Sequence, residues 1–178
     1  FRSTNCAESW DVLFRETRDG VLLRSIVVDY SSPSTVYLAT TAGDVFKSFD
    51  GGLTWRTQYR NPAHPFAKIL IDRYDPNVLY LASITGVIMR SADQGEHWEN
   101  ITGNLADFSD AHSFRALEST TSRDALFYAS EQGLFKTSDA GKSWQRIPLL
   151  TPENSVPILI AGSNSNDSSE SYYGTRNT

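Results

Sequence analysis

An eight-residue phrase that ends in tryptophan occurs three times in this chain, at residues 48–55, 91–98 and 137–144. Each copy has a Ser or Thr, then an Asp, then a Gly, and finally the Trp, always at the same spacing. A fourth copy at residues 3–10 keeps the Ser and the Trp but has Asn and Ala in place of Asp and Gly. The tryptophans therefore recur about every 45 residues, which indicates a repeat protein.

Short segments rich in β-branched and aromatic residues surround each phrase. The most regular of them lies at residues 36–39, 79–82 and 126–129 and reads Val-Tyr-Leu-Ala, Leu-Tyr-Leu-Ala and Leu-Phe-Tyr-Ala. Turns that contain Gly, Asn, Asp or Pro separate these segments, and the sequence has no helical apolar periodicity. We therefore predict an all-β fold, a β-propeller of four-stranded antiparallel blades, with about four blades' worth of sequence here.

The three phrases resemble the Asp-box, or BNR, repeat, whose pattern is Ser-x-Asp-x-Gly-x-Thr-Trp. The turns at Asp75-Pro76 and Ser32-Pro33, each followed by the Tyr-x-Ala segment, match the extended form of that repeat. The resemblance spans nearly the whole chain and departs from the pattern in the first copy and at His97. It implies a propeller similar to photosystem II assembly and stability factors or to Asp-box glycoside hydrolases.

The register of the repeats predicts one propeller divided into units. It begins with half a blade, the third and fourth strands, at residues 1–23. Whole blades follow at 24–66, 67–112 and 113–155, and the first two strands of another blade lie at 156–178. Two arrangements fit this division: the two halves close a four-bladed ring, or the chain is a segment of a longer propeller. We expect a segment, because a chain seldom begins at the first strand residue of a motif.

The phrase has the chemistry of a tight hairpin. Its Gly accepts a positive φ without strain, and its Asp and hydroxyl side chains can bind turn N–H groups. Its Trp packs a large ring against the sheet. Because the turn itself uses the Asp oxygens, we expect the phrase to be structural rather than catalytic. The residues concerned are Ser48, Asp50, Gly52, Trp55, Ser91, Asp93, Gly95, Trp98, Thr137, Asp139, Gly141 and Trp144.

Charge and composition exclude several classes of partner. The net charge of −5 and the pI near 5.1 provide no basic field for nucleic acid. No apolar run approaches the roughly 20 residues of a membrane span. The single cysteine, Cys6, allows no internal disulfide. The Asp-box resemblance implies an extracytoplasmic protein, which is secreted, periplasmic or lumenal, and we expect neither a cofactor nor a metal.

Function in a propeller is expected on the face where the loops from fourth to first strands meet the turns from second to third strands. On that face, Arg60, His64 and Phe66 form an Arg/His/aromatic group that can grip an anion or a peptide carboxylate. Phe108 and Glu131 complete the candidates for the binding face.

One loop of the same face carries Asp107, Asp110 and His112, side chains suited to a cation or to acid/base work. Two acids and a histidine in a loop are ordinary, so we favour a solvated loop and expect no catalytic residue in this chain.

Two functions compete. We favour a non-catalytic scaffold that docks a protein partner, because the loops are short and no catalytic set is concentrated in them. The alternative is a segment of a sialidase-like or endoglucanase-like hydrolase, which acts on carbohydrate and has part of its catalytic residues outside this chain. The Phe-Arg phrases at Phe1 and Phe114 do not reproduce the sialidase motif, and an endoglucanase needs a pair of carboxylates.

Overall fold

The computed structural model describes residues 1–108, 113–120, 122–131 and 133–148, together with the backbone of 155–163 and 171–177. Nearly all regular structure in these ranges is β-strand, with one short 3₁₀ helix at Gly103–Asp107. The strands form three four-stranded antiparallel sheets and one two-stranded hairpin. The predicted all-β fold of four-stranded antiparallel units is confirmed.

Each sheet is a simple meander in which neighbouring strands follow one another along the chain. The first sheet contains β1 (Leu23–Val28), β2 (Val36–Thr40), β3 (Asp44–Ser48) and β4 (Arg56–Arg60). The second contains β5 (Phe66–Ile71), β6 (Leu79–Ser83), β7 (Ile88–Ser91) and β8 (Glu99–Asn100). The third contains β9 (Phe114–Ser119), β10 (Leu126–Ser130), β11 (Leu134–Thr137) and β12 (Gln145–Ile147).

The two ends of the chain add smaller elements. Near the start, Arg2 and Asp11 form an isolated antiparallel bridge on either side of the first, altered phrase. Near the other end, β13 (Ser155–Ser163) and β14 (Ser171–Asn177) pair as an antiparallel hairpin. Leu23 and Phe66 are the first residues of β1 and β5, one residue before the starts predicted at 24 and 67.

The second strand of each sheet is buried along its whole length. It lies between two hydrogen-bonded neighbours and is covered on both faces, so its side chains do not alternate between apolar and polar. This explains why the segment that includes Tyr37, Tyr80 and Phe127 is apolar throughout.

Neighbouring sheets share apolar cores, so that the second sheet buries both of its faces. One core joins the first and second sheets and includes Tyr37, Ala39, Val45, Ile69, Ile71, Leu79 and Leu81. The other joins the second and third sheets and includes Leu70, Tyr80, Ile88, Leu117, Tyr128, Phe135 and Trp144. This face-to-face stacking of meander sheets is the packing expected between propeller blades.

The outward face of the first sheet has no such cover within the described residues. Ile26 is 62% exposed, whereas Ile69, at the same register position of the second sheet, is 1% exposed. The segment before β1 covers part of this face through Phe14, whose ring centroid lies 4.9 Å from that of Phe46 and 5.5 Å from that of Trp55. An apolar cavity of about 200 Å³ remains beside these rings.

Candidate functional site

The hairpin between the third and fourth strands of each sheet contains the repeated phrase. In the first sheet the Ser48 hydroxyl donates to Oδ1 of Asp50 (2.7 Å) and accepts from the Gly52 N–H (2.8 Å). Asp50 then accepts from the Thr54 N–H (2.8 Å) and from its hydroxyl (2.6 Å). Gly52 has a φ of 95°, which closes the turn. The phrase therefore satisfies its own polar groups within eight residues.

The same bonds recur in the other copies, including the altered one. The Thr137 hydroxyl accepts from the Gly141 N–H at 3.0 Å, and Asp139 accepts from the Ser143 N–H at 2.9 Å. At the start of the chain Ser3 accepts from the Ala7 N–H at 2.8 Å, and Asn5 accepts from the Ser9 N–H at 3.0 Å. Asn can replace Asp here because its amide oxygen supplies the same acceptor.

Hydrogen bonds hold the carboxylates of these hairpins in the ionised state. The pKa of Asp50 is lowered to about 2, chiefly by the Thr54 hydroxyl and N–H. The pKa of Asp139 is also lowered to about 2, chiefly by Ser143. These acids are poor proton donors near neutral pH, and the hairpin already occupies their oxygens.

The opposite edge of the sheets carries the expected functional face. We call it the loop face and define it by residues 15–22, 41–43, 61–65 and 84–87, together with the corresponding loops of the third sheet. Backbone bonds join these loops: the Asn61 N–H donates to the Gly43 carbonyl (2.8 Å), and the Ile84 N–H donates to the Pro65 carbonyl (2.9 Å). The loop face is therefore continuous between neighbouring sheets.

The main charged cluster of the loop face surrounds Asp44, whose side chain is fully buried (0% exposed). Arg18 Nη2 lies 2.6 Å from its Oδ2, and Arg60 Nε lies 2.5 Å from its Oδ1. Arg18 also binds Glu16 through Nη2 (2.7 Å) and Nε (2.8 Å). These contacts raise the pKa of Arg18 and lower the pKa of Glu16 to about 2.

The cluster can bind an anion even though its own charges balance. The Arg18 and Arg60 side chains are 40% and 55% exposed, while the carboxylate that positions them is inaccessible. Glu16 and Asp44 together occupy Nε and Nη2 of Arg18, so that its Nη1 is left, whereas Asp44 occupies only Nε of Arg60. The two Nη groups of Arg60 and Nη1 of Arg18 suit a carboxylate from outside the chain.

The other candidates of the binding face take no part in the ion pairs of this cluster. His64 is half-buried, and its backbone N–H donates to the Asn61 carbonyl at 3.1 Å. Phe66 was expected on the loop face, but it is 1% exposed and packs in the core between the first and second sheets, which corrects that expectation. The reason is that Phe66 begins β5 instead of ending the preceding loop.

The loops next to the third sheet carry the remaining candidates. Phe108 is half-buried with its ring 5.1 Å from that of Phe135, so it closes one end of the core. Glu131 forms an ion pair with Arg115. Asp107 is exposed at the end of the 3₁₀ helix, whereas Asp110 and His112 lie outside the described residues.

Sequence reasoning missed Asp44 and Arg18. Asp44 begins β3, at the position that Val87 and Gly133 occupy in the other two repeats. An acid found in only one repeat, at a strand position that is apolar or Gly elsewhere, was the available signal. The partner Arg18 could not be chosen from among the scattered arginines without the fold.

The described ranges show neither a metal site nor a membrane-spanning helix. No group of three or more His, Cys, Asp and Glu side chains is arranged to hold a metal ion there. No helix in the same part of the chain is long and apolar enough to cross a membrane.

Comparisons with known proteins agree with this architecture. Residues 3–145 match the family described as Photosynthesis system II assembly factor YCF48. A search of curated proteins found no match.

Solved structures with the same fold include propellers from two kinds of protein. One described as YCF48 bound to D1 peptide has a TM-score of 0.57 and 12% identity, over 83% of this chain and 53% of that one. The Niastella koreensis GH74 enzyme has a TM-score of 0.63 and 16% identity, over 86% of this chain and 26% of that one. An ancestral GH74 enzyme has a TM-score of 0.62 and 16% identity, over 75% and 19%. The chain thus spans between about a fifth and a half of these proteins, and at such identities the likeness shows the fold alone.

Proposed function

Because the chain belongs to the photosystem II assembly factor YCF48 family, we propose that it is a non-catalytic docking module that binds a protein partner outside the cytoplasm. The family match covers most of the chain. A structural relative of the same name is described as bound to a peptide, which supports a peptide-binding role for this propeller. The extracytoplasmic location is supported by the Asp-box resemblance.

The cluster at Asp44 carries this proposal. A buried carboxylate holds Arg18 and Arg60 side by side at the loop face, with roughly half of each side chain open to solvent. Two guanidinium groups held in this way are preorganised, so a partner's carboxylate can bind without ordering long flexible side chains. We propose that the partner presents an acidic side chain or a terminal carboxylate to this pair.

Peptide binding tests the proposal, with a fluorescent D1 peptide as the probe and anisotropy as the measurement. Arg60→Ala should weaken binding by about tenfold or more, as expected for the loss of a bidentate carboxylate contact. Arg56→Ala is the matched control, because Arg56 begins the same strand β4 at the hairpin edge and pairs with the exposed Glu96. Equal losses in the two variants, or no binding by the unaltered protein, would overturn the proposal.

A second peptide separates the carboxylate contact from other contributions. If the carboxyl groups of the probe are converted to amides, binding should fall at least to the level of Arg60→Ala, because the contact with Arg18 is lost as well, and Arg60→Ala should then cause no further loss. Binding of the original probe should also weaken as salt rises, since exposed ionic contacts are screened.

The hydrolase alternative requires a pair of catalytic carboxylates on the loop face. Within the described residues of this face, Glu16, Asp44 and Glu131 are bound to arginines, and Asp19 and Asp107 are exposed acids. Release of reducing sugar from xyloglucan by the purified protein would favour the alternative over the docking role.

A further inference from the structure

The edge of the sheets that carries the hairpins has two equivalent crevices, one between each pair of neighbouring sheets. The first crevice, between the first and second sheets, is formed by Tyr37, Lys47, Asn77 and Gln94. The second crevice, between the second and third sheets, is formed by Tyr80, Arg90, Asp124 and Ala140. Register places each residue of the first set at the same repeat position as its counterpart in the second. The two crevices can therefore be compared residue by residue.

The first crevice is filled by the side chain of Gln94. Its amide oxygen accepts from Lys47 Nζ at 3.1 Å, and its amide nitrogen donates to Oδ1 of Asn77 at 2.8 Å. The Gln94 carbonyl accepts from the same Nζ (3.3 Å) and from the Tyr37 hydroxyl (3.4 Å). The buried polar groups of this crevice are thus satisfied by one carboxamide side chain and its backbone.

The second crevice has the same backbone but no such side chain. Gln94 and Ala140 have φ values of 60° and 59°, and their N–H groups donate to the Asn77 and Asp124 carbonyls, both at 2.8 Å. Ala140 ends at its Cβ, and a cavity of about 640 Å³ lies beside it, lined by Arg90, Asp124 and Lys142 among others. This volume falls in the range of ordinary ligand pockets.

Arg90 and Tyr80 form the wall of this crevice on the side of the second sheet. Nε of Arg90 and the Tyr80 hydroxyl are buried against each other, so neither atom is open to the cavity. Arg90 Nη1 is bonded to Glu99 at 3.0 Å, so the guanidinium is held in place beside the cavity. A guanidinium has five N–H donors, and an acceptor in the cavity can bind those that neither Glu99 nor Tyr80 uses.

We propose that the second crevice binds a primary carboxamide, the side chain of a glutamine in a partner peptide. The carboxamide oxygen would accept from the Arg90 guanidinium, as the Gln94 oxygen accepts from Lys47 in the first crevice. The carboxamide nitrogen would donate to the Asp124 carboxylate, which stands where Asn77 receives the Gln94 amide. The site lies at the hairpin edge, shares no residue with the Asp44 cluster, and does not depend on the proposed docking function.

The charges that line the cavity favour a neutral carboxamide over its charged relatives. Arg90 and Lys142 are opposed by Glu99, Asp124 and Asp139, so a carboxylate would face an excess of negative charge. An ammonium group would satisfy Asp124 but would be repelled by Arg90 and Lys142. A carboxamide supplies the acceptor and the donor in one planar group.

The size of the cavity indicates the source of the carboxamide. A water molecule takes about 30 Å³ of liquid volume, so an isolated amide would leave most of the cavity as solvent. A glutamine within a peptide adds the methylene groups and backbone that can fill the rest.

An NMR titration tests the proposal, with N-acetyl-glutamine N-methylamide as the probe for a peptide glutamine. The amide signals of Ala140 and Lys142 and the Arg90 Nε–H signal should shift on binding. N-acetyl-glutamate N-methylamide should bind at least about tenfold more weakly. Free glutamine, which carries charged α-groups, should also bind at least about tenfold more weakly, and equal or tighter binding of it would overturn the peptide source.

Two substitutions use the repeat as its own control. Ala140→Gln supplies the missing side chain at a φ that Gln94 already adopts, so the variant should stay folded while probe binding is lost. Gln94→Ala empties the first crevice and should create a second site, seen as new shifts around Lys47. Unchanged binding by Ala140→Gln, or the absence of shifts in the unaltered protein, would overturn the proposal.

Discussion

Nδ1 of His97 lies 2.6 Å from Oδ2 of Asp93, in the position that the hydroxyls of Thr54 and Ser143 occupy in the other hairpins. The His97 ring is 91% exposed, so it takes over the bond of a hydroxyl without needing space in the core. The departure from the repeat pattern at this position therefore preserves the hairpin.

The ionisation of Asp93 should depend more on the backbone of His97 than on its ring. The His97 N–H is the largest cause of the lowered pKa of Asp93, ahead of the ring and of the Ser91 hydroxyl. His97→Ala keeps that N–H, so the pKa of Asp93 should stay below the ordinary value of about 3.9. A ¹³C NMR titration of the Asp93 carboxyl group checks this, and a return to the ordinary value would contradict it.

Thr137→Ala should destabilise the protein by about 1–3 kcal/mol, because the buried N–H of Gly141 loses its acceptor. Ser138→Ala is the matched control, since Ser138 is the next residue and is exposed. That change should alter the free energy of unfolding by no more than about 0.5 kcal/mol. Urea unfolding of the two variants measures the difference, and equal costs would show that the hydroxyl is not needed.

Acid should weaken the fold through the hairpin carboxylates. Asp50 and Asp139 have pKa values of about 2 in the folded chain and about 3.9 when unfolded. Since the folded pKa is the lower one, their stabilisation is complete above about pH 4 and is lost as pH falls to about 2. Asp139→Asn should make the loss shallower over this window, because Asn5 shows that the amide keeps the acceptor. Urea unfolding at a series of pH values checks the slope, and an unchanged slope would argue against Asp139 as a contributor.

Gly43→Ala should disturb the loop face. Gly43 has a φ of 77°, and a Cβ there would lie 2.0 Å from the Asn61 carbonyl oxygen. Gly20 has a similar φ of 74° with nothing within 4 Å, so Gly20→Ala isolates the backbone cost of roughly 1–2 kcal/mol. We expect Gly43→Ala to cost clearly more than its control in urea unfolding, with amide shifts at Asn61. Equal losses of unfolding free energy in the two variants would mean that the loop moves to accommodate the Cβ without strain.

Arg18 and Arg60 should be coupled through Asp44. Either arginine alone still neutralises the buried carboxylate, whereas the double change to Ala leaves it uncompensated. The loss of unfolding free energy in the double variant should therefore exceed the sum of the two single losses. A double-mutant cycle measured by urea unfolding tests this, and additive losses would exclude a shared role for Asp44.

The sequence predicted the repeated hairpins well because their bonds are local. Ser48, Asp50, Gly52 and Thr54 contact one another within a few positions, so the spacing of residue types is enough to specify the turn. The second strands could also be predicted from the sequence, since a strand buried on both faces is apolar throughout.

Phe66 is a residue whose position could not be predicted from the sequence. Its place next to a Pro-rich loop suggested an exposed aromatic, but strand pairing draws it into β5 and the core. Element ends are set by pairing with a partner strand, and the sequence alone does not reveal where that pairing begins.

What the sequence determined by itself was the unit: a four-stranded meander closed by a hairpin whose polar groups bind one another. The tertiary structure decided what neighbouring units place together. Arg18 and Asp44 are 26 residues apart, and Lys47 reaches Gln94 across 47 residues. Contacts of this range depend on how the sheets stack, because only packing brings side chains from different repeats within hydrogen-bonding distance.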